Sequence, residues 1–257
     1  MENRYPLFAG GRILKKEALW DLRDYAYGSM QLYYMDYTDG IVRGFDIHVE
    51  DYYLVVGKGE LKYGDFLYLL REEVRIPFVA ENRLVVLKAV CSLEQGHPDF
   101  LSYQVDFLLD QDTERQENQI ELCRFHLREG SILRDTYRDF ADLNTKYDTI
   151  NLRYATVAGR GKERLHPKIL LKYAETLQEN GANGVEDVAF CYHILQQNGE
   201  VENSVVVAYL QDKWGDEIAK NEEISKNRMY FEWLERVLNK GVDDRDKGQK
   251  QRVIFVD

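Results

Sequence analysis

The feature that most constrains the fold is a series of short apolar segments between residues 32 and 127, each ended by glycine, asparagine or aspartate. In the first of them, "DGIVRGFDIHV", Phe45, Ile47 and Val49 fall on one face of an extended chain and Asp46 on the other. This alternation is typical of β-strands. Six to eight such strands separated by turns predict an antiparallel β-sandwich or partial barrel.

Helical patterns flank this β region. Residues 11–27 predict one amphipathic helix that ends near Gly28, because their apolar residues recur at helical spacing. The stripe consists of Leu14, Ala18, Leu22 and Tyr25. Residues 147–157 alternate again and predict a last strand.

The second half predicts a small helical bundle. Pro167 suits the first turn of a helix that "ENGANG" ends. Its predicted buried stripe is Ile169, Leu170, Tyr173, Ala174 and Leu177. Asn183 and Glu186 have the spacing of a capping box for a helix that ends at Gly199. Residues 204–214 are ambiguous, since their β-branched run favours a strand and their neighbours favour a helix. We favour the helix.

These elements predict an α+β protein. We expect an N-terminal helix and β domain over residues 1–158 and a helical bundle over 159–241, whose last helix starts at Asn221. Residues 242–257 then form a polar linker and a terminal tail.

The composition narrows the possible partners. The formal net charge of −11 argues against sequence-independent nucleic-acid binding, which needs neutralised phosphates. Basic residues nevertheless cluster after residue 152, and we expect four of them to bind an acidic partner surface. These four are Arg160, Lys162, Arg164 and Lys168.

The cysteines and the first residues of the sequence indicate the cellular compartment of the protein. Cys91, Cys123 and Cys191 are scattered without C-x-x-C spacing, so we expect free core thiols in a reducing compartment. The start "MENRYPLF" has no apolar signal region, and no apolar run has the roughly 18 residues of a membrane span. The prediction is a cytoplasmic protein without membrane contact.

No catalytic signature stands out. The sequence "TDG" around Asp39 is typical of a tight turn. We expect Asp46 to be exposed to solvent on its strand. "GRGK" lacks the spacing of a phosphate-binding loop, and the histidines lack metal-ligand spacing. We therefore predict no enzyme, no cofactor and no metal. The alternative, a hydrolase, would need acidic residues such as Asp39, Asp46 or Asp65 to converge in a pocket.

The tail "QRVIFVD" contains a short apolar β-former after a polar linker. Such a segment suits strand addition to a neighbour's sheet edge, although it can equally pair with its own β domain or fray. The predicted contact residues are Val253, Ile254, Phe255 and Val256.

Two stretches carry a resemblance to known families. "PLFAGGRILKKEAL" followed by "DYTDGIVRGFDIHVEDYYLVVGKGELKYGDFLYLL" resembles proteins of bacteriophage tails and contractile injection machines. "IELCRFHLREGSILRD", followed by helices, is similar in order to the baseplate adaptor subunit of type VI secretion systems. The resemblance implies a β shell domain before a helical bundle and a role in assembly without an active site.

The leading hypothesis is accordingly a structural subunit of a phage-tail-like or contractile injection apparatus, a baseplate component. It would act through contacts with other tail or baseplate proteins and form a homo-oligomer. A hydrolase is the first alternative. An accessory nucleic-acid-binding factor that uses the four basic residues is the second, and the acidic net charge speaks against it.

Overall fold

The computed structural model describes residues 4–94, 100–181, 184–215, 218 and 227–250. Its first element is helix α1, Lys16–Tyr33, which follows an N-terminal segment without regular structure. The predicted helix is present, but it begins at Lys16, so that Leu14 lies outside it, and it runs past Gly28 to Tyr33. Its last backbone contact is made by the Tyr34 N–H, which donates to the Met30 carbonyl.

Within the described ranges nine strands follow and form three antiparallel sheets of three strands each. The strands are β1 Gly40–Gly44, β2 Ile47–Glu50, β3 Tyr53–Val56, β4 Gly59–Tyr63, β5 Phe66–Leu70, β6 Val74–Pro77, β7 Leu84–Glu94, β8 Ser102–Asp110 and β9 Gln119–His126. The sheet orders are β1-β4-β5, β2-β3-β6 and β8-β7-β9, and none of the three is closed among the described strands. The α+β class is thus confirmed.

The chain changes sheets between β1 and β2 at Gly44-Phe45. Gly44 has φ +67° and Phe45 has φ 55°, so two successive residues adopt the left-handed conformation. This bend turns the Phe45 ring fully into the core, 6.4 Å from the ring of Phe107 on β8. The predicted face of Phe45 and Ile47 is therefore the buried one.

Four helices complete the described chain. They are α2 Pro167–Glu179, α3 Val185–Gln196, α4 Asn203–Trp214 and α5 Asn227–Lys250. Pro167 starts α2, and all five residues of its predicted stripe are buried. Residues 203–214 form the preferred helix. Asn183 lies outside the described residues, and Gly184 caps α3.

One continuous cluster of buried side chains extends from Ile41 in the β region to Leu238 in α5. Phe140, in the segment between β9 and α2, joins the two regions. Its ring stacks on Phe231 of α5 at 4.5 Å and meets Tyr173 of α2 edge-on at 5.4 Å. Burial of such aromatic rings contributes strongly to the stability of a core.

Some predicted details are different. Residues 147–157 form isolated bridges, such as Asn151 with Arg124, and no strand. The apolar segments on either side of Glu81-Asn82 form strands β6 and β7, which belong to different sheets and do not pair as a hairpin. Residues 242–250, the predicted polar linker, continue helix α5.

Candidate assembly surface

The N-terminal arm, residues 4–15, and helix α1 expose an unusual amount of apolar surface. Nearly half of the large apolar side chains that the described residues expose lie between Tyr5 and Met35. In the arm, Ile13 is 88% exposed, and on α1 Tyr25 is 75% exposed. Since soluble monomers rarely expose large contiguous apolar patches, a surface of this kind marks a contact site.

Helix α1 buries none of its side chains. Three members of the apolar stripe predicted from the sequence, Leu14, Leu22 and Tyr25, are all exposed. Leu19 and Trp20 add apolar surface on other sides of the helix. A helix that is apolar on several sides and buries none of its side chains is typical of one that binds a partner.

The arm, together with Lys16 at the start of α1, is also basic. Residues 4–16 contain Arg4, Arg12, Lys15 and Lys16 and no acidic residue, while the whole chain has a net charge of −11. The arm therefore combines apolar side chains with a positive charge, a combination that favours an acidic partner surface with apolar pockets.

A groove separates α1 from the β4–β5 hairpin. It consists of two adjoining cavities of about 440 and 340 Å³ that share Met30, Phe66 and Leu67 in their walls. The smaller cavity is mostly apolar and is bounded by Tyr27 of α1 and Tyr103 of β8. Its size suits one or two large apolar side chains of a partner segment.

Few contacts fix α1 above this groove. Gln31 Nε2 donates to the Asp65 carbonyl at 3.4 Å, in the turn between β4 and β5. Just past the helix, Tyr34 is buried with its ring edge-on to that of Tyr37 at 5.2 Å. Burial raises the pKa of the Tyr34 hydroxyl, which stays neutral. The C-terminal end of α1 is thus anchored.

The three aspartates considered for hydrolysis have other partners. Asp39 Oδ1 accepts a hydrogen bond from the Gly64 N–H at 2.9 Å and lies 3.3 Å from Lys62 Nζ, so it stabilises the β4–β5 turn. Asp46 lies 3.3 Å from Lys168 Nζ and is mostly exposed, as predicted. Asp65 is exposed in the turn itself. Asp39 and Asp46 thus pair with lysines of two different elements, Lys62 of β4 and Lys168 of α2.

Two members of the predicted basic patch are engaged internally. Arg164 is buried, and its guanidinium donates to the Ala158 carbonyl at 2.6 Å and the Val42 carbonyl at 3.3 Å. It therefore connects β1 to the loop before α2, and partner binding by Arg164 stays a prediction. Lys168 is the partner of Asp46 described above.

The other two members lie at the surface. Arg160 and Lys162 are exposed. The Arg160 guanidinium lies over the ring of Tyr37 at 5.7 Å, and its hydrogen bond with the Tyr37 hydroxyl raises its pKa. Partner binding by Arg160 and Lys162 stays a prediction. The predicted tail contacts, Val253 to Val256, lie outside the described residues.

Within the described part of the chain, no three His, Cys, Asp or Glu side chains are grouped so as to hold a metal ion. Cys91, Cys123 and Cys191 are free and buried, as predicted. None of the helices in the described ranges is long and apolar enough to span a membrane.

Comparison with known proteins gives a distant likeness. No protein-family model and no curated protein matches the sequence. Among solved structures, a crystal structure of TssK is similar to the whole chain and to 71% of TssK, with 9% identity and a TM-score of 0.43.

A cryo-electron microscopy structure of the type VI secretion system TssK-TssF-TssG baseplate subcomplex contains a second similar chain. The likeness covers 93% of this chain and 99% of the other, with 9% identity and a TM-score of 0.41. Both likenesses are distant.

Proposed function

We propose that this protein is a structural assembly subunit, a baseplate component of a phage-tail-like or contractile injection apparatus. It acts through protein–protein contacts, and no catalytic step is part of the proposal. The observation that carries it is the exposed apolar surface of the N-terminal arm and α1 beside the groove on the β4–β5 hairpin. The glycine-turn segments that resemble tail and injection-machine proteins support the choice of apparatus.

In this proposal the arm and α1 bind another baseplate protein. The partner contributes an acidic surface for Arg12, Lys15 and Lys16 and apolar side chains for the groove between α1 and β5. Aromatic and methionine side chains are the usual anchors of such contacts, and Trp20, Tyr25 and Met30 supply them here. We also propose that the subunit forms a homo-oligomer and works in the cytoplasm.

The test is co-expression of the chain with each protein encoded by the neighbouring genes, followed by affinity co-purification and light scattering. We expect a stable complex with a sheath, tube, spike or other baseplate protein. The double substitution Leu22→Glu with Tyr25→Glu should abolish the complex and leave the melting temperature unchanged, because neither side chain is buried. Ile132→Glu is the matched control, since Ile132 is exposed and lies outside the arm and α1.

Two results would contradict the proposal. One is that no protein encoded nearby forms a complex with the chain. The other is that Leu22→Glu with Tyr25→Glu weakens the complex no more than Ile132→Glu does.

A further inference from the structure

Strand β5 is an open edge of its sheet. The order β1-β4-β5 leaves its outer side without a partner strand among the described residues. The two-residue turn makes Tyr63 and Phe66 a hydrogen-bonded pair, and such pairs then alternate along the hairpin. The backbone N–H and C=O groups of Leu67 and Leu69 therefore point away from β4. No hydrogen bond from the described part of the chain reaches these four groups.

Three other sheet edges are covered by the chain itself. In β1 the Ile41 N–H donates to the Thr156 carbonyl at 2.9 Å. In β2 the Val49 N–H donates to the Asp135 carboxylate at 2.8 Å. Strand β9 forms backbone hydrogen bonds with residues 148–156. Their outward backbone groups are thus already engaged.

The remaining edges, β6 and β8, suit solvent. Strand β6 carries Arg75 and Pro77, and a charge and a proline are common devices against pairing at an edge. Strand β8 exposes Gln104 and Asp106, which are polar. Strand β5 therefore combines an open edge with apolar side chains more fully than the other described strands do.

The open edge of β5 borders the groove beside α1. The smaller cavity of the groove, about 340 Å³, is lined on the β5 side by Asp65, Leu67, Leu69 and Arg71, which alternate along the chain, and by Phe66. The cavity thus offers free backbone groups and apolar walls between an acidic and a basic residue. A strand that adds to a sheet edge uses such features, the backbone for affinity and side-chain pockets for specificity.

We propose that residues 251–257 of a second copy of the chain add to this edge as an extra strand. These residues, "QRVIFVD", lie outside the described residues and follow α5 directly. Val253 to Val256 are consecutive apolar residues, mostly β-branched, and their run is close in length to the five residues of β5. The inference rests on the homo-oligomer proposed above and names its contact.

The charged ends of the tail determine its direction. The apolar run is preceded by Arg252 and followed by Asp257. A tail parallel to β5 places Arg252 beside Asp65 at the start of the strand. It also places Asp257 beside Arg71 at the other end, whereas an antiparallel tail brings like charges together. Because complementary charges fix the register of an interface, the parallel direction is favoured.

The end of α5 favours a second copy as the acceptor over the same chain. Leu238 is the last residue of α5 described as buried, and the helix continues to Lys250, about 18 Å farther along its axis. The sequence of residues 241–250, "GVDDRDKGQK", contains one large apolar residue, Val242. A helical stretch that is polar all round suits a spacer through solvent, and here it presents the tail to a neighbour.

The tail and the β5 edge are different surfaces, so the contact is heterologous. Copies joined in this way form an open chain or a closed ring, unlike a two-fold dimer. The tail takes the smaller cavity, and the larger cavity of the groove and the exposed sides of the arm and α1 stay available to a baseplate protein.

The first experiment measures the binding of a fluorescent synthetic peptide of residues 248–257 by anisotropy. The acceptor is the full chain with Ile254→Asp, so that its own tail does not compete. We expect a Kd of roughly 1 to 100 μM and no binding of a peptide with the same residues in scrambled order. Leu69→Pro in the acceptor should weaken binding by about tenfold, because it removes an outward N–H. Leu69→Val keeps this N–H and is the matched control.

A charge swap tests the direction of the tail and does not depend on how well Leu69→Pro folds. Arg71→Glu in the acceptor should weaken binding of the natural peptide, and a peptide with Asp257→Lys should restore it. Tighter binding of the natural peptide to Arg71→Glu would show an antiparallel tail and overturn the direction. Equal binding of the natural and scrambled peptides would overturn the proposal.

Sedimentation velocity of full chains, at about 1 to 300 μM, tests whether the acceptor is a second copy. The unsubstituted chain should associate, whereas Ile254→Asp and Leu69→Pro should each be monomeric. An equimolar mixture of the two variants should form a heterodimer and nothing larger, because one supplies an intact edge and the other an intact tail. A chain that is monomeric at every concentration, or a mixture that does not associate, would overturn the proposal.

Association that neither variant changes would also overturn this contact and would place the homo-oligomer interface elsewhere. No baseplate protein is present in these measurements. Their failure is therefore distinguishable from failure of the proposed baseplate role, which the co-purification tests.

Discussion

Arg134 and Asp142 form a two-pronged ion pair between the segment after β9 and the 3₁₀ turn at Ala141–Asn144. Arg134 Nη1 lies 2.7 Å from Asp142 Oδ2, and Nη2 lies 2.8 Å from Oδ1. Asp142 also accepts hydrogen bonds from the Arg138 N–H and the Thr145 hydroxyl. This hydrogen bonding holds the pKa of Asp142 well below its ordinary value of 3.8.

We expect Asp142→Asn to lower the free energy of unfolding at pH 7 by about 2 kcal/mol, because hydrogen bonds to a charged group are lost. A lowered pKa stabilises the fold above the unfolded-state value, and that stability is lost as the pH falls through the folded-state value. The difference between wild type and Asp142→Asn should therefore shrink as the pH is lowered below about 4. Urea unfolding of both proteins at several pH values measures this difference in the free energy of unfolding.

Asp212→Asn is the control for this series, since Asp212 is an exposed carboxylate on α4. It should change the stability at pH 7 by less than about 0.5 kcal/mol. A constant difference between wild type and Asp142→Asn from pH 7 to pH 2 would contradict the assigned role of the ionised carboxylate.

Lys88 is an almost fully buried cation on the central strand β7. Its Nζ lies 2.8 Å from Asp110 Oδ2 and donates to the Glu114 carbonyl at 2.7 Å. Asp110→Ala leaves a buried charge without its counterion, whereas Lys88→Met removes the charge and leaves a carboxylate that water reaches. We expect Asp110→Ala to cost about 3 kcal/mol and Lys88→Met clearly less, as measured by urea unfolding. A larger loss of stability for Lys88→Met than for Asp110→Ala would contradict this reasoning.

Gly59 at the start of β4 has no room for a side chain. A Cβ at this position would lie 2.6 Å from the Phe45 backbone nitrogen and closer still to the Arg43 carbonyl oxygen. Gly59→Ala should lower the melting temperature by more than about 5 °C, because backbone atoms of the β1–β2 bend must move. Gly28→Ala in α1 is the control: nothing lies within 4 Å of its added Cβ, and alanine favours the helix. Equal effects of the two substitutions would contradict this interpretation.

The three cysteines should resist thiol reagents in the native protein. Burial raises the pKa of Cys91 to about 12 and that of Cys191 to about 11, and it also raises the pKa of Cys123. Since the thiolate is the reactive form, a colorimetric disulfide reagent at pH 8 should react only after denaturant is added. Reaction of a full thiol equivalent within minutes in the folded state would contradict the burial of all three.

The sequence was most informative about the helices that pack on the core. The α2 stripe from Ile169 to Leu177 was predicted residue by residue, because each member faces the same buried side. Residues 203–214 show why context matters: their β-branched run favours a strand in isolation, but Val206, Tyr209 and Leu210 pack at helical spacing on the bundle.

Strand pairing was harder to predict. Segments β6 and β7 follow each other in the sequence, yet β6 pairs with β3 and β7 pairs with β8 and β9. Which strands pair depends on contacts that are distant along the chain. Residues 147–157 alternate like a strand, but only single bridges form, and Ile150 and Leu152 are buried without a continuous ladder.

The helix of the candidate surface was predicted from the sequence, but its role as an exposed contact surface was not. The periodicity of Leu14, Ala18, Leu22 and Tyr25 identified a helix, and burial was the natural expectation for its apolar stripe. The signal for exposure was also in the sequence, since Leu19 and Trp20 place apolar groups outside that stripe. Periodicity cannot show whether an apolar stripe packs on the core of its own chain or on another molecule. In the same way, the sequence around Arg164 is rich in basic residues and gives no sign that this side chain is buried.

Helix α1 contributes no side chain to the core. The free energy of unfolding of the rest of the protein therefore does not depend on whether α1 is helical. A lone helix of this length is marginal in water, so a partner that covers it also supplies part of its folding free energy. Affinity can then be tuned by changing helix propensity at solvent-facing positions of α1, without altering either contact surface. Evolution or an engineer can adjust how readily the subunit is recruited while the rest of the molecule stays as it is.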